Sequence, residues 1–322
     1  MTSGISWQPS ASLKIIKKRA SLLKKIREFM NIREIIEVDT PILSHFSTSD
    51  PYIQSMTTSC TAESNAKLYL HTSPEFSMKR LLAAGLGSIY QIAHVFRDEE
   101  SGKRHSTEFT MLEWYRIGFD YYQLMDEIGE LLKSIGLEIP IKMTYAESFK
   151  RTLEIDPHTV ATIHLQKLCR KQGWEDAIDD RHALLDFLFS EVVIKNINQD
   201  KPLFIYDYPE CMSALATLKQ SEPFVSERFE LFIAGMEIAN GFNELIDADE
   251  QVSRFEKELL TRKNKNLVET PLDENFLAAL RAGLPECSGV AVGIDRLLMV
   301  LSKKDDINEV NTFRLSSLFD HE

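Results

Sequence analysis

FRDEESGKRHSTEFTMLEWYRI, residues 96–117, sets acids and bases around a single glycine and then runs into an apolar, aromatic stretch. Two strand-like runs, IAHVFRDE (92–99) and EFTMLEWYRI (108–117), flank the charged part, so the segment reads as a β-hairpin with a long polar tip. Alternate residues of a strand share a face, which groups Phe109, Met111, Glu113 and Tyr115. On the partner run the matching set is Val95, Arg97 and Glu99. If the two faces coincide, one surface presents an arginine, two carboxylates, a stacking ring and a phenol. Phe109 and Tyr115 would stand roughly 20 Å apart at ~3.3 Å per residue. That length suits a nucleotide joined through its phosphate to a second small molecule. A fixed guanidinium bridges phosphate oxygens bidentately, Phe109 can stack a base, and Glu113 with Tyr115 can hold an amine. Spacing alone equally allows a charged hairpin whose Phe109 and Met111 are ordinary core.

Outward from the hairpin, residues 12–30 predict an amphipathic helix with Leu13, Ile16, Ala20, Leu23, Ile26 and Phe29 on its apolar side. Its other side carries Lys14, Lys17, Lys18, Arg19, Lys24, Lys25 and Arg27, either a solvated face or a docking surface for an acidic partner. EIIEVDTPIL (34–43) predicts a strand ended by Pro41, and PLFIYDYP (202–209) another. Residues 228–247 predict two strands around Gly235 with a second break at Asn240–Gly241. Helical patterns cover 120–135, 182–197 and 273–283, the last with an Asp cap and a terminal Gly. SGVAVGIDRLLMVL (288–301) reads as strand, glycine turn, helix. Residues 137–200 carry no chemical motif and form an elaboration on the core. The expected architecture is one α+β domain, residues 1–322, around an antiparallel sheet flanked by helices.

Composition narrows the classes. A chain of 322 residues with 43% hydrophobic and 27% charged residues is an ordinary globular protein. No apolar run approaches a membrane span, and the N-terminus lacks a secretory apolar core, so a cytoplasmic location is expected. Four scattered cysteines without a CxxC pair suit reduced thiols. A net charge of −12 argues against a broad nucleic-acid surface.

Three segments in order, TPIL (40–43), the 96–116 stretch and SGVAVGIDRLLMVL, resemble motifs 1, 2 and 3 of the class II aminoacyl-tRNA synthetases. TSPEFSMKRLL (72–82), EFTMLEWY (108–115) and EIANGFNELIDADEQ (237–251) resemble the lysine-specific blocks of that family. With the motif 1 helix beginning near residue 12, an anticodon-reading domain is not expected. In this respect the chain is similar to the bacterial paralogues that lysylate elongation factor P.

The resemblance implies the class II catalytic fold and a set of roles. Arg97 would hold the ATP α-phosphate, Glu99 the adenine amino group and Phe109 the adenine ring, with His105 toward the outer phosphates and Arg296 on the γ-phosphate. Arg97 and Arg296 would be the catalytic pair, and Asp98, Ser106, Ile238 and Gly293 complete the ATP-binding positions. Glu237 and Glu244 would ligate Mg²⁺, with a bulge at Asn240–Gly241 bringing them to one face. Ser73, Pro74 and Glu75 would form the loop around the substrate amine, with Glu113, Tyr115 and Glu244 closing the cationic pocket.

Three positions depart from the family: Asp98 for Asn, Ser106–Thr107 for Asn-Pro, and Ala291 for Gly. The first adds charge near ATP, the second loosens the loop, and the third reshapes the amino-acid pocket toward a shifted amine. The implied activity is ATP-dependent activation of lysine, preferably (R)-β-lysine, and its transfer to a lysine of elongation factor P. The expected enzyme is a homodimer through motif 1, with no tRNA and no membrane partner. A tRNA- or amine-directed ligase and a non-catalytic lysine sensor are the alternatives.

Overall fold

The structure, a computed structural model, describes residues 7–63, 65–98, 102–175, 180–197, 201–221 and 223–314. It has two compact units: Met1–Tyr115, Asp247–Pro285 and Ala291–Glu322 make the first, Arg116–Ile246 and Glu286–Val290 the second.

In the first unit, helix Leu13–Ile32 starts at Ser12, whose side chain accepts the Ile15 N–H. Its buried stripe is Ile15, Leu22, Ile26, Phe29 and Met30, turned from the face expected, and Leu13 and Ala20 are exposed. The reason lies on the polar side. Arg19 turns inward to Asp295 at 2.5 Å and Lys18 donates to the Leu301 carbonyl, so neither belongs to a solvated face.

The strand expected over 34–43 shrinks to Ile36–Glu37, parallel to Ile89–Tyr90. Glu34 has φ +56°, a left-handed turn out of the helix, and beyond Glu37 only the Val38 N–H to Tyr90 carbonyl bond continues the ladder. Leu43–Ser44 joins a separate small sheet with Ala66–Leu70 and Thr57–Cys60.

The hairpin is as expected in kind: Ile89–Phe96 pairs antiparallel with Glu108–Ile117. Helices Glu75–Ala83, Ala248–Asn264 and Glu274–Gly283 pack around Phe76, whose ring stacks on Phe276 at 4.5 Å and meets Phe255 at 5.9 Å. Asp273 caps the last of these helices, and Gly283 ends it at φ +114°.

In the second unit the strands run Met236–Asn243, Val225–Ile233, Leu203–Pro209 and Ile141–Thr144 side by side, antiparallel except for the last pair. Ala234 and Gly235, both at positive φ (50° and 69°), form the tight turn of the first hairpin. Met236–Asn243 is continuous, so no break occurs at Asn240–Gly241. Gly241 is instead a close-packing site. A Cβ there would lie 2.3 Å from the Phe229 ring and 2.8 Å from the Gly289 carbonyl oxygen.

The 137–200 segment builds its own core against this sheet. Tyr145, Phe149 and Phe189 stack with centroids 4.7–6.4 Å apart, beside Tyr208 and Phe232. Helix Tyr121–Ser134 opens on an Asp120–Gln123 capping box. The helix expected over 182–197 is Arg181–Leu188, a wider π turn Phe189–Val193, and Ile194–Asn196. Cys60, Cys169, Cys211 and Cys287 are free thiols. Among the described residues, no helix is long and apolar enough to cross a membrane.

Candidate active site

The register decides whether the two hairpin faces coincide. Val95 sits directly opposite Phe109, Ala93 opposite Met111, Gln91 opposite Glu113 and Ile89 opposite Tyr115. Directly opposed residues share a face, so Arg97 belongs with Phe109. Its guanidinium carbon lies 5.3 Å from the Phe109 ring centre. The Arg97 N–H donates to the Thr107 carbonyl at 2.9 Å, extending the ladder one pair beyond the strands.

The described part of the tip is tied to its surroundings. Asp98 N–H donates to the Gln54 carbonyl (2.9 Å), the Ile307 N–H to the Lys103 carbonyl (2.7 Å), and Gly102 pairs with His105. Arg296 donates its Nε to the Arg104 carbonyl at 3.1 Å. The loop thus has ordered anchors although Ser106–Thr107 lacks the family's proline. Asp98 and His105 are exposed and Ser106 is half-buried. Glu99 lies outside the described residues.

Behind the hairpin, Asp295 is 3% exposed and knits three segments together. It takes Arg19 from the first helix and the Thr110 N–H (2.7 Å) from the hairpin, and Arg19 also donates to the Thr110 hydroxyl at 2.5 Å. Two consecutive residues therefore divide the work: Asp295 fixes the strand that carries Phe109, and Arg296 stays at the tip. Sequence reasoning missed Arg19 and Thr110. The adjacency of Asp295 to Arg296 was the available signal, because a buried carboxylate whose neighbouring guanidinium is committed elsewhere needs another cation.

Further along the same face, Glu113 is 3% exposed. The Ser73 hydroxyl donates to one of its oxygens at 2.6 Å and the Tyr115 hydroxyl to the other at 2.7 Å. The Glu75 N–H donates to Ser73 Oγ at 3.0 Å, and Pro74 is the N-cap of the helix that follows. The structure therefore brings Ser73, Glu113 and Tyr115 together as an anionic niche of the kind that takes an amine. The Glu75 carboxylate pairs one turn along with the buried Lys79 at 2.7 Å. Ala291 packs with Phe109 against Ala93, Val95 and Met111, on the core beneath the Phe109 ring. Gly293, at φ −74° and ψ 104°, is the N-cap of helix Ile294–Ser302.

In the second unit, Glu237 is exposed and Glu244 is 3% exposed, its N–H held by the Cys287 carbonyl at 3.0 Å. The irregularity between them falls at Ile238, where the pairing slips between Leu231 and Phe232, and not at Asn240–Gly241. One extra residue changes the pleat phase, which aligns Glu237 with Glu244.

The same alignment adds Glu230, which the sequence reading missed. The spacing of seven from Glu230 to Glu237, repeated to Glu244, was its signal. Glu230 is buried and paired with Arg228, whose guanidinium also bonds the Met212 carbonyl at 2.8 Å. Burial lifts the Glu230 carboxyl above the usual range, with Arg228 opposing and the Glu237 charge adding to the rise. Two carboxylates set on one face suit a divalent cation, which relieves the repulsion between their charges. Among the described residues no cluster of three or more metal-ligating side chains occurs. A pair of hard oxygens fits Mg²⁺, which completes its shell with water and nucleotide oxygens.

The chain belongs to the class II tRNA synthetases (D, K and N), whose family description matches residues 5–316. The expected fold class is therefore confirmed. Within that family it is 46% identical over 314 residues to the elongation factor P–(R)-β-lysine ligase of Haemophilus ducreyi, covering 96% of each chain. The identically named proteins of Pectobacterium atrosepticum (45%; 97% and 98% covered) and Vibrio cholerae (44%; 95% and 97% covered) are similar along the same length.

Proposed function

We propose that this chain is an ATP-dependent ligase acting as one catalytic domain. It activates lysine, preferably (R)-β-lysine, as an aminoacyl-adenylate and transfers it to a lysine ε-amine of elongation factor P. The observation that carries this is the near full-length likeness to ligases of that name, supported by the Ser73–Glu113–Tyr115 niche on the face that bears Arg97 and Phe109.

In the first step a carboxylate oxygen of the amino acid attacks the α-phosphorus in line, and pyrophosphate leaves. Phe109 stacks the adenine, Arg97 bridges the α-phosphate, and Arg296 meets the outer phosphates from the loop it already anchors. Positioning and charge stabilisation supply most of the acceleration. Bound Mg²⁺, on Glu237 with Glu244 or Glu230 as second carboxylate, would neutralise phosphate charge. Glu113 holds the substrate ammonium, oriented by the hydroxyls of Ser73 and Tyr115. In the second step the acceptor amine attacks the adenylate carbonyl, the mixed anhydride bond breaks, AMP leaves, and the amine's proton goes to solvent.

The enzyme works as a homodimer without tRNA. Exposed apolar residues on and after the first helix, Leu13, Ile32, Ile36, Ile42 and Leu43, support self-association there.

The test is amino-acid-dependent ATP–pyrophosphate exchange with α-lysine and (R)-β-lysine, followed by transfer to elongation factor P or tRNA. Exchange favouring β-lysine, with label moving to the protein, is expected. Transfer to tRNA would make this a tRNA ligase, and no exchange with either lysine would make it a non-catalytic sensor.

A further inference from the structure

We infer that Arg262, near the end of helix Ala248–Asn264, is a positioning residue for the nucleotide loop, an inference that rests on the ligase reading above. Arg262 is 1% exposed and makes no salt bridge among the described residues. Among the described residues its guanidinium hydrogen-bonds only neutral oxygens, with the Asp50 and Glu258 charges acting on it without a direct bond. Nε donates to the Val268 carbonyl (3.0 Å), one terminal nitrogen to the carbonyls of Asp50 (2.8 Å) and Ile53 (3.4 Å), and the other to the Gln54 side-chain oxygen (2.9 Å). Burying a charge that no carboxylate bonds directly is costly, and here desolvation outweighs the Asp50 and Glu258 charges and lowers the Arg262 pKa. A neutral residue of similar size would serve plain packing better, so the fork geometry points to a task. Only a planar guanidinium spans several acceptors held at fixed positions.

What the fork holds is segment 50–54, and among the described residues that segment reaches the hairpin through the Gln54 carbonyl, which accepts the Asp98 N–H at 2.9 Å. Asp98 directly follows Arg97. Gln54 therefore receives Arg262 on its side chain and the nucleotide loop on its main chain. Glu258, one turn earlier on the same helix, accepts the Ser49 hydroxyl at 2.5 Å. Thr270 donates to the Thr48 carbonyl at 3.3 Å. Segment 48–54 is thus suspended from one helix and its following loop, and its far end sets the height of Arg97 over Phe109. A small displacement of a group that must bridge a phosphate changes rate out of proportion to its size.

The experiment compares Arg262→Lys and the milder Gln54→Ala with the unaltered protein, measuring pyrophosphate exchange, the KM values for ATP and for amino acid, binding of a non-hydrolysable ATP analogue, and Tm. Lysine keeps the charge and loses the fork. Arg262→Lys is expected to raise the ATP KM by about tenfold and weaken analogue binding in parallel, with the amino-acid KM within about twofold. Gln54→Ala should move the same two readouts in the same direction, and the double variant should add little to Arg262→Lys because both act through one contact. Two results would overturn the inference: equal rises in both KM values, or a lower Tm with unchanged ATP KM and analogue binding. Absence of exchange in the unaltered protein would instead count against the ligase reading, while analogue binding still tests Arg262.

Discussion

Glu113 is buried between two hydroxyl donors, a setting in which a carboxylate bonds a cation more strongly than in water. A carboxylate in that setting contributes ~1.5–3 kcal/mol to a charged hydrogen bond. Glu113→Gln is expected to raise the amino-acid KM by about 10–100-fold, with the ATP KM nearly unchanged, as measured by pyrophosphate exchange. A comparable rise in the ATP KM would remove Glu113 from the amine pocket. Glu230 invites a different test. If it shares a cation with Glu237, Glu230→Gln shifts the magnesium dependence of exchange to concentrations about tenfold higher, while Glu244→Gln acts mainly on the amino-acid KM. The reverse pattern would favour Glu237 and Glu244, the pair expected from the sequence.

Among the elements, helix Ala248–Asn264 carries a pH-sensitive group. Burial lifts Glu258 to about 7 from an ordinary 4.5, with the Ser49 hydroxyl and Arg254 opposing the rise and the charges of Asp50 and Glu75 adding to it. A carboxyl whose folded value is raised favours the protonated state. Its burial costs nothing below pH 4.5, the cost grows between that value and about 7, and it is complete above. At ~1.36 kcal/mol per pH unit the ceiling is about 3 kcal/mol. Glu258→Gln should therefore unfold at higher urea than the unaltered protein at pH 8, with the two converging near pH 5. Equal differences at both pH values would exclude Glu258 as the source.

The elements also show what the sequence made legible. The motif hairpin and the face shared by Phe109, Glu113 and Tyr115 follow from period-two alternation, and the register agrees; Ser73 came from the family resemblance alone, and its hydroxyl donates to Glu113. The first helix was found, but its rotation was not. Both Leu13–Ile16–Leu23 and Ile15–Leu22–Met30 are apolar stripes, and the choice is made by the distant Asp295 drawing Arg19 inward. The bulge at Ile238 was expected in kind and misplaced, since Asn-Gly looks like a break. There Gly241 serves close packing against Phe229 instead. Glu34–Leu43 had strand composition, yet a left-handed Glu34 and few paired residues left most of it irregular.

At the scale of the whole molecule, the acidic chain of net charge −12 leaves apolar side chains uncovered on its first helix, with Ile32 76% exposed. Covering them with a second copy satisfies the hydrophobic surface without recruiting a nucleic acid. Sedimentation should give twice the chain mass of 36.9 kDa, and Ile32→Glu should shift the equilibrium toward monomer by about tenfold or more. A monomer at micromolar concentration in the unaltered protein would refute self-association.

The anchoring of the hairpin tip bears on the order of biosynthesis. Lys103 emerges from the ribosome early, whereas Ile307, whose N–H its carbonyl accepts, follows roughly 200 residues later, along with Arg296. At ~5–20 residues per second that interval is about 10–40 s. Through that interval the Lys103 and Arg104 carbonyls lack the Ile307 N–H and the Arg296 Nε that donate to them in the folded chain.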